Sequence, residues 1–127
     1  MDDFCSSIKN LLSNRQSKLV QDAKVIKNEK TYKKFNKQYK LAAVLIPLII
    51  KNNNYEVILT TRSKDVLSHP GQVCFPGGRL DIKDDSMIAC AIREANEEVG
   101  IEPSQVEILG RLDDCITGTD FKVTPIL

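Results

Sequence analysis

What this 127-residue chain lacks narrows its reading first. It has a single histidine, His69, and its four cysteines, Cys5, Cys74, Cys90 and Cys115, show no paired spacing. One histidine and scattered cysteines exclude a Cys/His zinc site, and the cysteines read as free thiols, most of them buried, in a reducing compartment. No run of about 18 apolar residues is present, so no membrane span is expected. Leu41 to Ile50, LAAVLIPLII, is too short for one and reads as a buried strand, with Pro47 marking an edge position or a bulge. Internal repeats and low-complexity tracts are missing, apart from a turn at Asn52, Asn53 and Asn54. The N-terminus is not poor in acids either: Asp2 and Asp3 argue against a mitochondrial transit peptide.

Charge is unevenly spread. Residues 1–40 hold ten Lys/Arg against four Asp/Glu, whereas residues 41–127 hold eight against thirteen. The basic lysines recur every three or four residues without interleaved aromatics, which fits a solvated helical extension better than a nucleic-acid or membrane arm. At this length one domain is the most the chain can build. Residues 1–38 read as a basic helical N-terminal extension and residues 39–127 as the domain.

Phe4, Ile8, Leu11 and Leu12 recur at helical spacing, predicting an amphipathic helix over 3–14. A second helix and a linker are expected over 15–38. Strands are expected over about 40–50 and 55–62 across the asparagine turn, then at Val73–Phe75, Val106–Leu112 and Lys122–Leu127.

The most informative stretch runs from Gly77 to Ile101, GGRLDIKDDSMIACAIREANEEVGI. Asp84, Asp85 and Ser86 offer helix-starting residues, and Gly100 can take the left-handed conformation that ends a helix. At about 100° per residue, Ile88, Ala91, Ile92, Ala95 and Val99 form an apolar stripe. Glu94 and Glu98 then flank the stripe, and Glu97 faces away. Three carboxylates at i, i+3 and i+4 repel one another, and a bound divalent cation would relieve that repulsion. A solvated acidic surface helix fits the same spacing.

The segment Arg93 to Ile101, REANEEVGI, with Gly78 before it, resembles the Nudix box, the loop-helix signature of enzymes that hydrolyse diphosphates linked to another moiety. The box pattern places a glycine at 79 and a glutamate at 85, where this chain has Arg79 and Asp85, with Gly78 one position early. Upstream, Leu59 to Gly78, LTTRSKDVLSHPGQVCFPGG, resembles the segment that marks the coenzyme A diphosphatase branch of that family. The resemblance implies an α/β fold with a mixed sheet, the Nudix α/β/α sandwich. It also implies strands and a helix beyond Val123–Leu127, so the domain reads as C-terminally incomplete, and a second copy joined through the exposed sheet is an expected partner.

The same resemblance implies metal-dependent hydrolysis of coenzyme A or its derivatives to adenosine 3′,5′-bisphosphate and 4′-phosphopantetheine. Mg²⁺ or Mn²⁺ would be held by Glu94 and Glu98, with Glu97 a further ligand or the base that orients water. Arg93 is expected to position a box glutamate through a bidentate pair. Arg62 and Arg79 are candidates for phosphate contacts, and Gly77 and Gly78, after Pro76, for shaping the backbone beside the substrate. His69 reads as a structural, hydrogen-bonded residue. The alternatives are a Nudix hydrolase acting on another nucleoside diphosphate derivative, or a truncated scaffold that binds a nucleotide or partner chain without turnover. Cytoplasm is the default compartment, with peroxisome or mitochondrion the alternatives if the natural C-terminus lies beyond Leu127.

Overall fold

A computed structural model describes residues 3–14, 19–21, 24–26, 39–61, 71–117 and 120–127. Arg62 and His69 lie outside these residues, as does most of the expected second helix. The chain is a mixed α/β structure. Helix α1 spans Asp3–Ser13. Among the described residues the strands are β1 Leu19–Gln21, β2 Lys24–Ile26, β3 Lys40–Leu45, β4 Leu48–Lys51, β5 Asn54–Val57, β6 Thr60–Thr61, β7 Val73–Cys74, β8 Gly77–Arg79, β9 Asp114–Ile116 and β10 Phe121–Ile126. Helix α2, Met87–Val99, lies between β8 and β9.

Six strands form the main sheet, in the order β2-β1-β9-β10-β3-β8. β3 is its pivot, parallel to β10 through Lys40↔Phe121 to Leu45↔Ile126 and antiparallel to β8 through Ala43↔Gly78. Helix α2 packs on β3 and β8 through residues with little or no side chain. Ala43, Ala91 and Ala95 are fully buried together with Cys90 and Ile126. Small residues on both partners let the helix lie close to the sheet, which fixes the height of its polar residues above β8.

Both ends of α2 follow their sequence signals. The Ser86 hydroxyl accepts the Ala89 N–H at 3.0 Å, and Gly100 adopts φ 72° with its N–H bonded to Asn96 O. The asparagine turn is a tight hairpin between β4 and β5, with Asn52 and Asn53 at φ 52° and 62°.

Several expectations change. Residues 19–21 and 24–26 are strands rather than helix, and β1 runs parallel to β9. The single strand foreseen over 40–50 breaks at Ile46–Pro47. Its first part carries buried Ala42, Ala43 and Leu45, whereas Ile49 and Ile50 in β4 are exposed. Residues 106–112 are irregular apart from an Arg111–Ile126 bridge, and the strand lies later, in β9. The cysteines are thiols as expected, but only Cys90 is buried. Among the described residues, no helix is long and apolar enough to cross a membrane.

Candidate active site

The site starts from a glycine. Gly78 sits on β8 directly beneath α2, and a Cβ added there would lie 2.5 Å from the Glu94 carboxyl carbon. No side chain larger than hydrogen fits, so the Glu94 carboxylate rests against the strand backbone. Gly77 has the same constraint from the other side, where a Cβ would run into the Ala43 carbonyl and lie 2.6 Å from Val44 Cγ1. The glycine pair therefore allows α2 and β3 to close around β8.

Arg93 organises the acids. Its Nε and Nη2 donate to the two oxygens of Asp84 at 2.8 and 2.9 Å, the fork geometry that matches guanidinium to carboxylate. Its Nη1 donates to Glu94 Oε1 at 3.0 Å and to both Glu97 oxygens at 3.2 Å. Nη2 also reaches the Arg79 carbonyl at 3.2 Å, joining α2 to the end of β8. Asp84 is held from its own loop as well, since its Oδ2 accepts the Asp81 N–H at 2.9 Å.

The electrostatics follow from these bonds. The Arg93 hydrogen bond, above all, holds the Asp84 carboxyl well below the usual carboxylate range. The same bond raises Arg93 above its already high ordinary value, so the guanidinium stays charged. Burial pushes the Cys90 thiol up to about 11, where it donates to the Gly78 and Arg79 carbonyls as a neutral group. Exposure rises outward from this base: the Asp84 side chain is 4% exposed, Glu94 16% and Glu97 52%. Glu98, one turn beyond Glu94, is exposed too.

The helix is rotated relative to the expected stripe. Cys90, Ala91 and Ala95 form its buried face, while Ile88 is 39% exposed. The rotation turns Glu94 inward onto Gly78 instead of leaving it at the rim. A second shift concerns the acid before the helix: Asp84 takes the Arg93 fork, and Asp85 is exposed. Gly78 and Asp84 keep the glycine-to-acid spacing of the box pattern, both displaced by one residue, so the extra residue falls between Asp84 and the helix. The aspartate pair in the sequence was the available signal, but it did not show which member pairs.

Thus Arg93, Glu94, Glu97, Gly77 and Gly78 are brought together. Arg79 is not part of that group on its side-chain face. Gly78 faces α2, so the neighbouring Arg79 side chain projects from the opposite face of the sheet, where its Cζ lies 5.7 Å from the Phe121 ring centroid. Among the described residues, no three His, Cys, Asp or Glu side chains converge on a ready-made metal position. Arg93 engages two of the three glutamates. The donor chemistry still suits a hard divalent cation: carboxylate oxygens on successive turns of one helix, the innermost set by a glycine cradle.

Comparison with known proteins identifies the family. The NUDIX domain model matches residues 40–125. The uncharacterized Nudix hydrolase NudL of Enterobacter sp. (strain 638) is 50% identical over 86 residues, covering 68% of this chain and 44% of that protein. NudL of Citrobacter koseri is 48% identical over the same length and shares of each chain. The chain therefore spans less than half the length of these curated relatives. Among solved structures, a MutT/nudix family protein from Enterococcus faecalis aligns with a TM-score of 0.55 at 17% identity, covering 95% of this chain and 46% of that one. The C. elegans Ap4A hydrolase aligns at 0.53 and 23% identity, covering 70% and 66%. These structures support the shared fold. With the domain match over most of its length and close sequence relatives, the chain belongs to the Nudix family.

Proposed function

We propose that this chain carries the catalytic loop-helix of a metal-dependent Nudix hydrolase that cleaves the diphosphate of coenzyme A and its derivatives. Water would add across the P–O–P bond, giving adenosine 3′,5′-bisphosphate and 4′-phosphopantetheine or its acyl form. The observation that carries the proposal is the single Arg93 guanidinium bonding Asp84, Glu94 and Glu97, with Glu94 packed against Gly78. Nudix hydrolases generally use divalent ions such as Mg²⁺ or Mn²⁺. Glu94, Glu97 and Glu98 would hold such an ion, which supplies charge neutralisation for the diphosphate and activation of water.

The protein's own groups divide the remaining work. Arg93, anchored by its fork to Asp84, keeps Glu94 against β8 and restrains Glu97. Glu97, the more exposed of the two, would accept a proton from the attacking water. The choice of coenzyme A rests on the likeness of Leu59–Gly78 to the coenzyme A diphosphatase segment. Arg62 in that segment is the proposed diphosphate contact.

A second reading also has an observation behind it. Since Arg93 already engages Glu94 and Glu97, the same scaffold would suit binding of a nucleotide or partner chain without turnover, or hydrolysis of another nucleoside diphosphate derivative. Incubating the 127-residue chain with coenzyme A, with and without Mg²⁺ or Mn²⁺, and following adenosine 3′,5′-bisphosphate separates these. The proposal expects metal-dependent product that falls by roughly a thousandfold in Glu98→Gln. No product from a folded sample would favour the binding role, and product from other nucleoside diphosphates alone would redirect the substrate.

A further inference from the structure

Two cations on the far side of β8 have no part in the arrangement above. Lys40 begins β3 and pairs in register with Phe121 on β10, and Arg79 ends β8 opposite Ala42. By strand alternation all three side chains leave the sheet on the face opposite Gly78 and α2. Lys40 Nζ lies 5.9 Å and Arg79 Cζ 5.7 Å from the centroid of the same Phe121 ring. Both distances are within cation–π range, so one ring holds two like charges at the sheet surface.

Among the described residues, neither cation has an ion pair with a carboxylate. This contrasts with Arg93 and Arg111, each bonded to at least one acid. Two cations beside one aromatic ring repel each other, and an anion bridging their charged ends would relieve that repulsion. The strand geometry relates the pair to the glutamates. Among the described residues β8 is the last strand of the main sheet, with Gly78 under Glu94 and Arg79 directed to the other face. A ligand with two separated anionic centres can therefore straddle this strand. Arg79 is well fixed for such a role, because its carbonyl accepts from Arg93 Nη2 and Cys90 Sγ.

We propose that Lys40 and Arg79, both beside Phe121, form a subsite for a phosphate monoester of the substrate, distinct from the position of the diphosphate, which the cation proposed at Glu94, Glu97 and Glu98 would neutralise. Within the proposed function, which this inference deepens, that group is the 3′-phosphate of coenzyme A. The pair then distinguishes coenzyme A from nucleoside diphosphate compounds lacking a second phosphate. Arginine offers a directional fork and lysine a mobile point charge, a combination suited to a rotating phosphate dianion.

The test compares coenzyme A with 3′-dephospho-coenzyme A as substrates for the wild-type chain, Lys40→Met and Lys40→Arg. The expected result is a preference for coenzyme A, in kcat/KM, that falls about tenfold in Lys40→Met and is largely restored in Lys40→Arg. Equal falls on both substrates would overturn the subsite, as would an unchanged preference. If the wild-type chain turns over neither compound, calorimetric binding of adenosine 3′,5′-bisphosphate against adenosine 5′-monophosphate tests the subsite alone. Tighter binding of the bisphosphate that is lost in Lys40→Met supports it, and equal binding of the two overturns it.

Discussion

Two arginine–carboxylate clusters among the described residues are built to opposite charge balances. Around Arg93, one cation serves Asp84, Glu94 and Glu97, with Glu98 one turn further on. Around Asp114, one acid serves two cations. Arg111 Nη2 meets both its oxygens at 2.8 Å, Lys122 Nζ lies 3.9 Å away, and Thr124 Oγ1 donates at 2.8 Å. The Asp114 cluster is the more enclosed: Asp114, Lys122 and Thr124 are all buried, tying β9 to β10. The Arg93 cluster has a closed floor at Asp84 and an open rim at Glu97. A surplus of negative charge at an open rim leaves room for a cation, whereas a neutralised, buried acid serves as a fastener. Counting arginine–acid pairs would not separate the two; their charge balance and exposure do.

The comparison breaks first at Arg93. Lysine cannot reproduce the fork to Asp84 while also bonding Glu94 and Glu97, so Arg93→Lys should lower coenzyme A turnover by about a hundredfold or more while leaving most of the fold intact. Steady-state kinetics alongside circular dichroism checks this. The Asp114 cluster should show the reverse. Asp114→Ala removes the buried acid that Arg111 and Thr124 bond and should cost about 3 kcal/mol in urea unfolding. Next comes Gly78→Ala, where the new methyl meets the Glu94 carboxylate; a loss of about 1–3 kcal/mol is expected, with reduced turnover.

The smallest effect is in pH dependence. Arg93 lowers the Asp84 value, so this pair stabilises the fold above the ordinary carboxylate range of about 4 and is lost as pH falls through the lowered value. Cys90 acts with the opposite sign. Its thiol, raised to about 11 by burial, favours the fold below its ordinary value of 9.0, and that contribution disappears as pH rises from there towards 11. Thermal melts across both limbs should show the acid dependence reduced in Asp84→Asn and the alkaline dependence reduced in Cys90→Ala.

How much of this was legible in the sequence depended on whether the deciding interaction was local. Ser86 and Gly100 cap α2 through bonds within a few residues, and Asn52–Asn53 turns the hairpin by its own backbone preference. Those features were readable. The rotation of α2 was not, because it depends on Gly78 and Ala43 arriving from the sheet beneath and leaving room for Cys90 and Glu94. The Asp84–Arg93 pair was half readable: an acid before the helix was expected, but which aspartate reached Arg93 depended on the Asp81–Asp84 loop. Residues 19–21 are strand because β9 offers an edge, which a lysine-rich segment does not announce. Arg79 lay beside the glycines in sequence, yet strand alternation sent it to the opposite face.

The most direct test of the central claim is a Mn²⁺ titration of the folded chain followed by electron paramagnetic resonance, comparing wild type with the Glu97→Gln/Glu98→Gln double variant. The account predicts a bound Mn²⁺ in the wild-type chain that is lost or greatly weakened in the double variant. Undiminished binding in the double variant, or no binding to the wild-type chain, would contradict the assignment of the Arg93 acid cluster as the metal-holding site.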